Sequence, residues 1–270
     1  MRGLQLRLHR GPLRPGQMRT MRRLLAAVLT TAAVLSLNPA PAAAHMRDYI
    51  FNQGYHTPRK GEFEVELYND FKMPDAGEDG TFNSQHQIEL EYGITNRLQL
   101  AYYEVFTWNR ANDWQRDAFK VETKYRFFES GELPVDIALY GEYKNPNGSR
   151  DARGDALEGK LILSRDFGKW NVIGNLIVER KINEHEDLQW EYTAGASYAI
   201  QPNLRAGLEI KETLGDQGDF GPLRRGHELQ LMPLIAFNPT PNTRILFGPA
   251  FGLTGPADDL QLKSIVEIEF

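Results

Sequence analysis

The chain has 270 residues, of which 41% are apolar and 25% are charged, and its 36 acidic residues outnumber its 31 basic ones. Its mean hydropathy is negative, and no apolar run reaches the ~20 residues that a membrane-spanning helix needs. The acidic excess argues against nucleic-acid binding, which requires a basic surface. Because the sequence has no cysteine, a disulfide framework is excluded.

The first 44 residues have the features of a secretory signal peptide. Seven arginines and no acidic residue occur there, and an apolar run over residues 24–37 precedes three alanines that end at Ala44. A basic leader, a short apolar run and a small-residue cleavage site are typical of an exported chain. Cleavage after Ala44 removes seven of the 31 basic residues and leaves 24 against 36 acidic ones. We therefore predict an exported, strongly acidic mature protein.

From Glu62 onward, segments of alternating apolar and polar residues follow one another, with turn-forming residues between them. We predict twelve strands, over residues 62–71, 84–94, 97–108, 116–128, 135–144, 156–166, 169–180, 188–198, 204–213, 226–237, 243–253 and 260–270. The third strand is irregular because Glu104 shares a side with Leu98 and Leu100. We expect a β-bulge near Tyr102 and Tyr103 to correct this misfit.

The last strand carries the most informative pattern. Residues 260–270 alternate strictly, with Leu262, Val266 and Ile268 on one side and the terminal Phe270 continuing that side. A final amphipathic strand that ends in an aromatic residue resembles the assembly signal of bacterial outer-membrane β-barrels. The resemblance implies an all-β fold, a single antiparallel up-and-down transmembrane β-barrel of about 12 strands over residues 62–270. It also implies outer-membrane lipid, lipopolysaccharide and the barrel-assembly machinery as partners, the last through Phe270.

The lengths of the strands and of their connections favour the same architecture. Twelve is an even number, and the strands have the ~9–11 residues that cross a bilayer at a tilt. The loops that begin at residues 72, 109, 145, 181 and 215 are mostly longer than the turns at 95, 130, 168, 201 and 238. Long extracellular loops that alternate with short periplasmic turns are typical of outer-membrane barrels. We therefore predict a location in the bacterial outer membrane.

If the apolar side of each strand faces lipid, the polar side lines the lumen. The acidic residues on that side are Glu62, Glu64, Glu66, Glu89, Glu91, Glu122, Glu142, Glu158, Glu191, Glu209, Glu267 and Glu269. The basic ones are Lys120, Lys124, Arg126, Lys144, Lys160, Arg205, Lys211, Arg244 and Lys263. Because unpaired buried charges are costly, such an interior must be wet or densely paired. Its acidic excess predicts a lumen that favours cations.

Residues 45–61 lack a clean period, and we predict a non-strand arm before the barrel. Its basic residues Arg47, Arg59 and Lys60 precede the acidic first strand. The arm could fold into the lumen and partly plug it, or it could be a periplasmic tail, as chain termini often are.

The sequence offers little catalytic chemistry, and we predict that the protein is not an enzyme. No cofactor or metal site is expected, since the acidic loop with Asp75 and Asp79 lacks the spacing of an EF-hand. Ser84 and His86 share one face of the second strand and could belong to a lipid hydrolase, although no orienting partner is evident.

The sequence thus predicts an outer-membrane channel for passive diffusion of small polar solutes, with an acidic, cation-biased lumen. Three alternatives remain: a barrel enzyme that acts on lipid or lipopolysaccharide, a sealed structural barrel with a salt-bridged interior, and a soluble periplasmic β protein.

Overall fold

The computed structural model describes residues 46–73, 83–109, 113–146, 154–182, 188–216, 220–224 and 226–270. The predicted signal peptide and the loop with Asp75 and Asp79 lie outside these residues. The strands are β1 (Phe63–Met73), β2 (Asn83–Thr95), β3 (Leu98–Asn109), β4 (Asp113–Arg126), β5 (Asp136–Pro146), β6 (Ala156–Phe167), β7 (Trp170–Lys181), β8 (Gln189–Gln201), β9 (Leu204–Gly215), β10 (Leu229–Thr240), β11 (Thr243–Gly252) and β12 (Leu260–Glu269).

All twelve strands join into one closed barrel. Each strand pairs antiparallel with its neighbours in sequence, and β1 pairs with β12, for example through Val65 and Ile268. Closure satisfies the backbone hydrogen bonds of the first and last strands, which would otherwise form open edges. The predicted all-β, up-and-down barrel of twelve strands is therefore confirmed.

The barrel has two ends. At one end, here called the terminal end, lie Phe63, Glu269 and the short turns at residues 96–97, 168–169, 202–203 and 241–242. At the other end, here called the distal end, the odd-numbered strands end and the even-numbered strands begin. Gly168 has a φ of 63°, which suits glycine in such a two-residue turn. No helix with the length and apolarity that a bilayer crossing needs occurs among the described residues.

Two details differ from the sequence prediction, and both involve β4. The register between β3 and β4 is continuous through Tyr102 and Tyr103 and shifts only between Val105 and Phe106, so the predicted position of the bulge is wrong. The predicted alternation of long and short connections also fails here. Only residues 110–112 connect β3 to β4 at the distal end, whereas residues 127–135 connect β4 to β5 at the terminal end.

Most strands bury their polar side and expose their apolar side. On β1, Glu64 and Glu66 are buried whereas Leu67 is exposed. Because the buried side of a closed barrel faces inward, the charged residues point to the interior. β10 departs from this pattern, since its inward residues Met232 and Leu234 are apolar and buried. The interior therefore has a charged wall and, away from it, a more apolar one.

Candidate functional site

Residues 46–61, here called the N-terminal arm, lie inside the terminal half of the barrel. Tyr49 and Asn52 of the arm are fully buried, and Tyr49 packs in a cluster with Tyr140, Ile162 and Leu234 of the wall. Burial raises the pKa of Tyr49 well above its usual value, so its hydroxyl stays protonated and available as a donor. The arm is thus packed against the wall as a protein core is packed.

A single carboxylate holds the innermost part of the arm. Glu209, in the middle of β9, accepts hydrogen bonds from the backbone N–H groups of Ile50, Phe51 and Asn52 at 2.9, 3.0 and 2.8 Å. The side-chain amide of Asn52 adds a fourth donor at 2.9 Å. Buried backbone N–H groups that belong to no strand need hydrogen-bond acceptors. Glu209 provides this acceptor for residues 50–52, whose N–H groups would otherwise be unpaired.

Neutral side chains of β7 and β8 hold the arm from a second direction. The hydroxyl of Tyr49 donates to Oδ1 of Asn171 at 2.8 Å. The backbone N–H of Gln53 donates to Oδ1 of Asn175 at 2.6 Å, and the hydroxyl of Thr193 donates to the side-chain oxygen of Asn52 at 2.8 Å. All of these wall groups point inward from their strands.

The arm then returns to the end of the barrel from which it entered. Tyr55 donates to the backbone oxygen of Phe128 at 2.5 Å, and Thr57 donates to that of Asn96 at 3.2 Å. Both acceptors belong to turns at the terminal end. The arm therefore forms a loop that reaches the middle of the barrel and comes back to begin β1.

Arg47 connects the arm to the acidic wall formed by β1, β2 and β12. Its guanidinium lies 3.1 Å from Oε2 of Glu66 and also hydrogen-bonds Tyr68 and Gln53. Its backbone N–H donates to Glu267 at 3.0 Å. Burial lowers the pKa of Arg47, but the neighbouring Glu66, Tyr68, Glu89 and Tyr103 together raise this pKa well above its usual value and keep the guanidinium charged. This buried cation offsets only part of the surrounding negative charge.

Carboxylates crowd together on that wall. Oxygens of Glu64, Glu66 and Glu267 lie within 4.8 Å of one another, as do those of Glu66, Glu89 and Glu91. One oxygen of Glu64 and one of Glu89 are buried without a hydrogen-bond partner. A buried carboxylate without a donor requires a proton or a cation. These groups could therefore hold a cation from an aqueous solution.

The arm separates two cavities in the interior. The first, of about 260 Å³, lies in the terminal half around the arm, and is lined by Glu64 and Glu267 of the acidic wall and by Asn171 and Arg205 of the opposite wall, among others. The second, of about 330 Å³, lies on the distal side of Phe51 and is lined by lysines, glutamines and tyrosines. Polar groups line most of the second cavity and about half of the first, whereas the segment between the cavities is well packed.

The distal half of the interior is built from ion pairs. Lys120 lies 3.2 Å from Glu142, Lys160 lies 2.9 Å from Glu158, and Lys211 lies 2.9 Å from Glu191. Lys263 pairs with Asp70. The charges of opposite sign are therefore paired in the distal half and unbalanced in the terminal half.

The structure buries one set of the sequence-predicted residues and leaves another partly accessible. The buried set is Glu64, Glu66, Glu89, Glu91, Glu122, Glu142, Glu209, Glu267, Lys124, Arg126 and Arg244. The half-buried set is Glu62, Glu158, Glu191, Glu269, Lys120, Lys144, Lys160, Arg205, Lys211 and Lys263. Of the three basic residues assigned to the arm, Arg47 is buried, whereas Arg59 and Lys60 are exposed at the terminal rim. Phe270 is 71% exposed, and its backbone N–H donates to Phe63 at 2.9 Å.

Sequence reasoning missed the neutral residues that contact the arm. Asn171, Asn175, Thr193 and, within the arm, Tyr49 and Asn52 carry no charge and belong to no motif. Their inward position could be predicted, because neighbouring residues of a strand point to opposite faces. Asn171 and Asn175 precede the apolar, outward Val172 and Leu176 and therefore point inward. An amide at an inward, dry position indicates a polar partner, which is the one signal that could have identified them.

A family model described as "Membrane bound beta barrel domain (DUF5777)" matches residues 46–200. The chain belongs to this family. The match begins at the arm and covers the first seven strands and most of β8. Single-chain barrels of this kind with an even number of strands occur in the bacterial outer membrane, which is therefore the location of this protein, in contact with its lipid.

Solved structures share the fold at low sequence identity. The COG4313 outer membrane channel from Pseudomonas putida F1 is 12% identical with a TM-score of 0.61, covering 82% of this chain and 100% of that one. The NanC porin is 10% identical with a TM-score of 0.54 and coverages of 76% and 98%. The KdgM porin is 9% identical with a TM-score of 0.52 and coverages of 77% and 98%. No curated protein sequence matches the chain.

Proposed function

We propose that the protein is an outer-membrane channel for passive diffusion of small polar solutes and that the N-terminal arm closes the terminal half of its lumen. The observation that carries the proposal is the seating of the arm between two cavities, each lined in part by charged side chains. A sealed structural barrel has no need for such cavities on both sides of a segment that belongs to no strand. The description of the structural neighbours as a channel and as porins supports the same function.

The acidic wall supports a preference for cations once the arm leaves. Arg47 leaves with the arm, and so does Asp48, which pairs with Arg205 and Arg244 of the wall. Glu64, Glu66 and Glu267 then remain clustered in an open lumen. Clustered carboxylates of this kind attract cations and repel anions. The distal ion pairs are balanced, so the terminal half sets the selectivity.

Barrel assembly is the second part of the proposal. β12 closes the barrel against β1, and the ring of Phe270 lies 6.2 Å from that of Phe63 on the exposed side. An exposed terminal aromatic residue next to the closing seam is accessible to the assembly machinery before closure. We therefore assign recognition by that machinery to the last strand and Phe270.

The test compares two forms of the mature chain, complete and without residues 46–58, in planar lipid bilayers. The shortened form keeps the turn in which Gly61 bonds Gly93, so the first strand can still close the barrel. We expect the complete chain to conduct weakly and the shortened chain to conduct several times more, with a reversal potential that indicates cation selectivity.

Each other outcome contradicts a separate part of the proposal. Equal conductance of the two forms would show that the arm does not close the lumen. If neither form conducts, the barrel is sealed and is not a channel. Anion selectivity of the shortened form would contradict the role of the acidic wall. A gel shift on heating, typical of folded barrels, serves as the folding control for both forms.

A further inference from the structure

Three polar side chains meet on the outward face of the barrel, at the distal ends of β1 and β2. Nε2 of His86 lies 3.0 Å from Oγ of Ser84, and Nδ1 of His86 lies 2.8 Å from Oδ1 of Asn69. Asn69 and His86 are direct partners in the β1–β2 ladder, and Ser84 is two residues from His86 on the same side. The orienting partner that the sequence left unidentified is therefore Asn69, on the neighbouring strand.

The hydrogen bonds have the direction that a nucleophilic serine needs. The amide nitrogen of Asn69 donates to the hydroxyl of Ser264 at 3.4 Å, which turns its oxygen toward His86. That oxygen accepts the Nδ1 proton of a neutral imidazole and leaves Nε2 as the acceptor for the Ser84 hydroxyl. A nucleophile bonded to a base that is oriented by a third group is the arrangement of serine hydrolases.

The surroundings of this group indicate an apolar substrate. The ring of Phe71 packs edge-on against His86 with centroids 5.5 Å apart, and the ring of Trp114 lies 4.9 Å away. The same face carries the exposed Ile88 two residues further along β2. Aromatic rings at the end of a barrel strand are found at the interface between lipid tails and head groups, where ester bonds of lipids lie.

We propose that Ser84, His86 and Asn69 form a catalytic triad that hydrolyses acyl esters of membrane lipids. The proposal is independent of the channel function. Ser84 is only 5% exposed, so side chains around it must move before an ester can reach the hydroxyl. We accordingly expect the reaction to require lipid or detergent at the outer wall.

The reaction is a two-step acyl transfer. Oγ of Ser84 attacks the ester carbonyl carbon while Nε2 of His86 takes the hydroxyl proton. The C–O bond of the ester breaks, and His86 returns the proton to the leaving alcohol. Water then attacks the acyl-serine, loses a proton to His86, and releases the fatty acid as Ser84 regains its proton. The sum is one ester and one water giving one acid and one alcohol.

The experiment uses the mature full-length protein, folded in detergent. A fluorophosphonate probe tests covalent labelling of serine, and fatty-acid release is measured with a phospholipid and, separately, with lipopolysaccharide to distinguish the two ester sources. We expect Ser84→Ala to abolish both labelling and release, and His86→Ala to lower the rate by on the order of 10²–10⁴-fold. Ser130→Ala is the matched control, since that serine lies in the connection between β4 and β5 at the terminal end, where it bonds Asp136 and not the triad.

Asn69 is tested as a positioning residue. We expect Asn69→Ala to slow labelling of Ser84, and Asn69→Asp, which keeps an oxygen acceptor, to restore it. If Asn69 only stabilised the fold, the two variants would be labelled equally whenever both show the gel shift of a folded barrel. The proposal is overturned if the wild-type protein is neither labelled nor active on either lipid, or if Ser84→Ala is labelled as strongly as the wild type.

Discussion

The two sides of the interior hold the arm by different physical means. The wall formed by β1, β2 and β12 contacts it through charge, with Arg47 set among carboxylates such as Glu66 and Glu267. The opposite wall, from β7 to β10, contacts it mainly through neutral hydrogen bonds and apolar packing. Its charged contacts are the carboxylate of Glu209 at the centre and the ion pair of Arg205 with Asp48 at 3.2 Å. The first wall has more carboxylates than cations to pair with them, whereas on the second wall the polar groups that contact the arm have hydrogen-bond partners and little room for water.

The two walls therefore serve different purposes: the acidic wall suits the passage of solutes, and the dry wall holds the arm that closes the lumen. Unbalanced carboxylates are stable only beside water or cations, so the acidic wall suits a conducting lumen. A dry contact with satisfied amides is specific and holds one conformation of the arm. Changes on the dry wall should therefore release the arm, and changes on the acidic wall should also alter ion selectivity.

The largest effect is expected from Glu209→Ala. Three buried backbone N–H groups of the arm lose their acceptor, and each unsatisfied group costs about 1–3 kcal/mol. We expect the arm to leave the interior, as measured by rapid hydrogen exchange at residues 50–52 and by conductance near that of the arm-deleted protein. Glu191→Gln is the control, because Glu191 pairs with Lys211 of the distal half. Protected amides at residues 50–52 in Glu209→Ala would show that this carboxylate is not the anchor.

Arg47→Met should have the next largest effect. Breaking a buried ion pair costs about 3–5 kcal/mol, and Glu66 would lose its partner. We expect partial release of the arm in hydrogen exchange and a stronger preference for cations in bilayer recordings. Arg59→Met is the matched comparison, since its side chain is 62% exposed at the rim and exposed pairs contribute only ~0–1 kcal/mol. Equal effects of the two variants would contradict the assignment of the arm contact to Arg47.

A smaller effect is expected from Gly195→Ala on the dry wall. The added methyl group would lie 2.8 Å from Cε1 of Tyr49, in a contact that must shift. Such overpacking costs about 1–3 kcal/mol, so hydrogen exchange of the arm should rise modestly. Gly159→Ala is the control, because its nearest neighbour atom would be 3.7 Å away. If both substitutions leave the exchange of the arm unchanged, Tyr49 does not pack on this wall.

The architecture was predictable because a period of two recurs in most strands and because closure of the barrel requires the pairing of β1 with β12. The error at β4 has a local cause. Residues 109–115 are mostly polar and resemble a loop, yet Trp114 and Gln115 pair with β3, opposite Trp108 and Thr107. Side chains at the rim of a barrel can be polar on both faces. The alternation of apolar and polar residues that indicates a strand is then absent.

The candidate site was predictable only on its charged side. Carboxylates on adjacent strands with the same inward phase must come together, and so Glu66, Glu89 and Glu267 do. The neutral contacts join residues far apart in sequence, such as Tyr49 and Asn171. No composition or spacing encodes such a pair, because the path of a strand-free arm depends on packing. The link from Asn69 to His86 was hidden for a related reason, since it depends on the register of two strands.

The most direct test of the account is a disulfide between the arm and the dry wall. The chain has no cysteine of its own, and the side chains of Asn52 and Thr193 are already in hydrogen-bond contact. We predict that Asn52→Cys with Thr193→Cys cross-links readily under mild oxidation and that the oxidised barrel conducts no more than the wild type. Asn52→Cys with Lys144→Cys, near the distal end, should not cross-link. Failure of the first pair to cross-link in the folded barrel, or conductance of the oxidised form equal to that of the arm-deleted protein, would contradict the account.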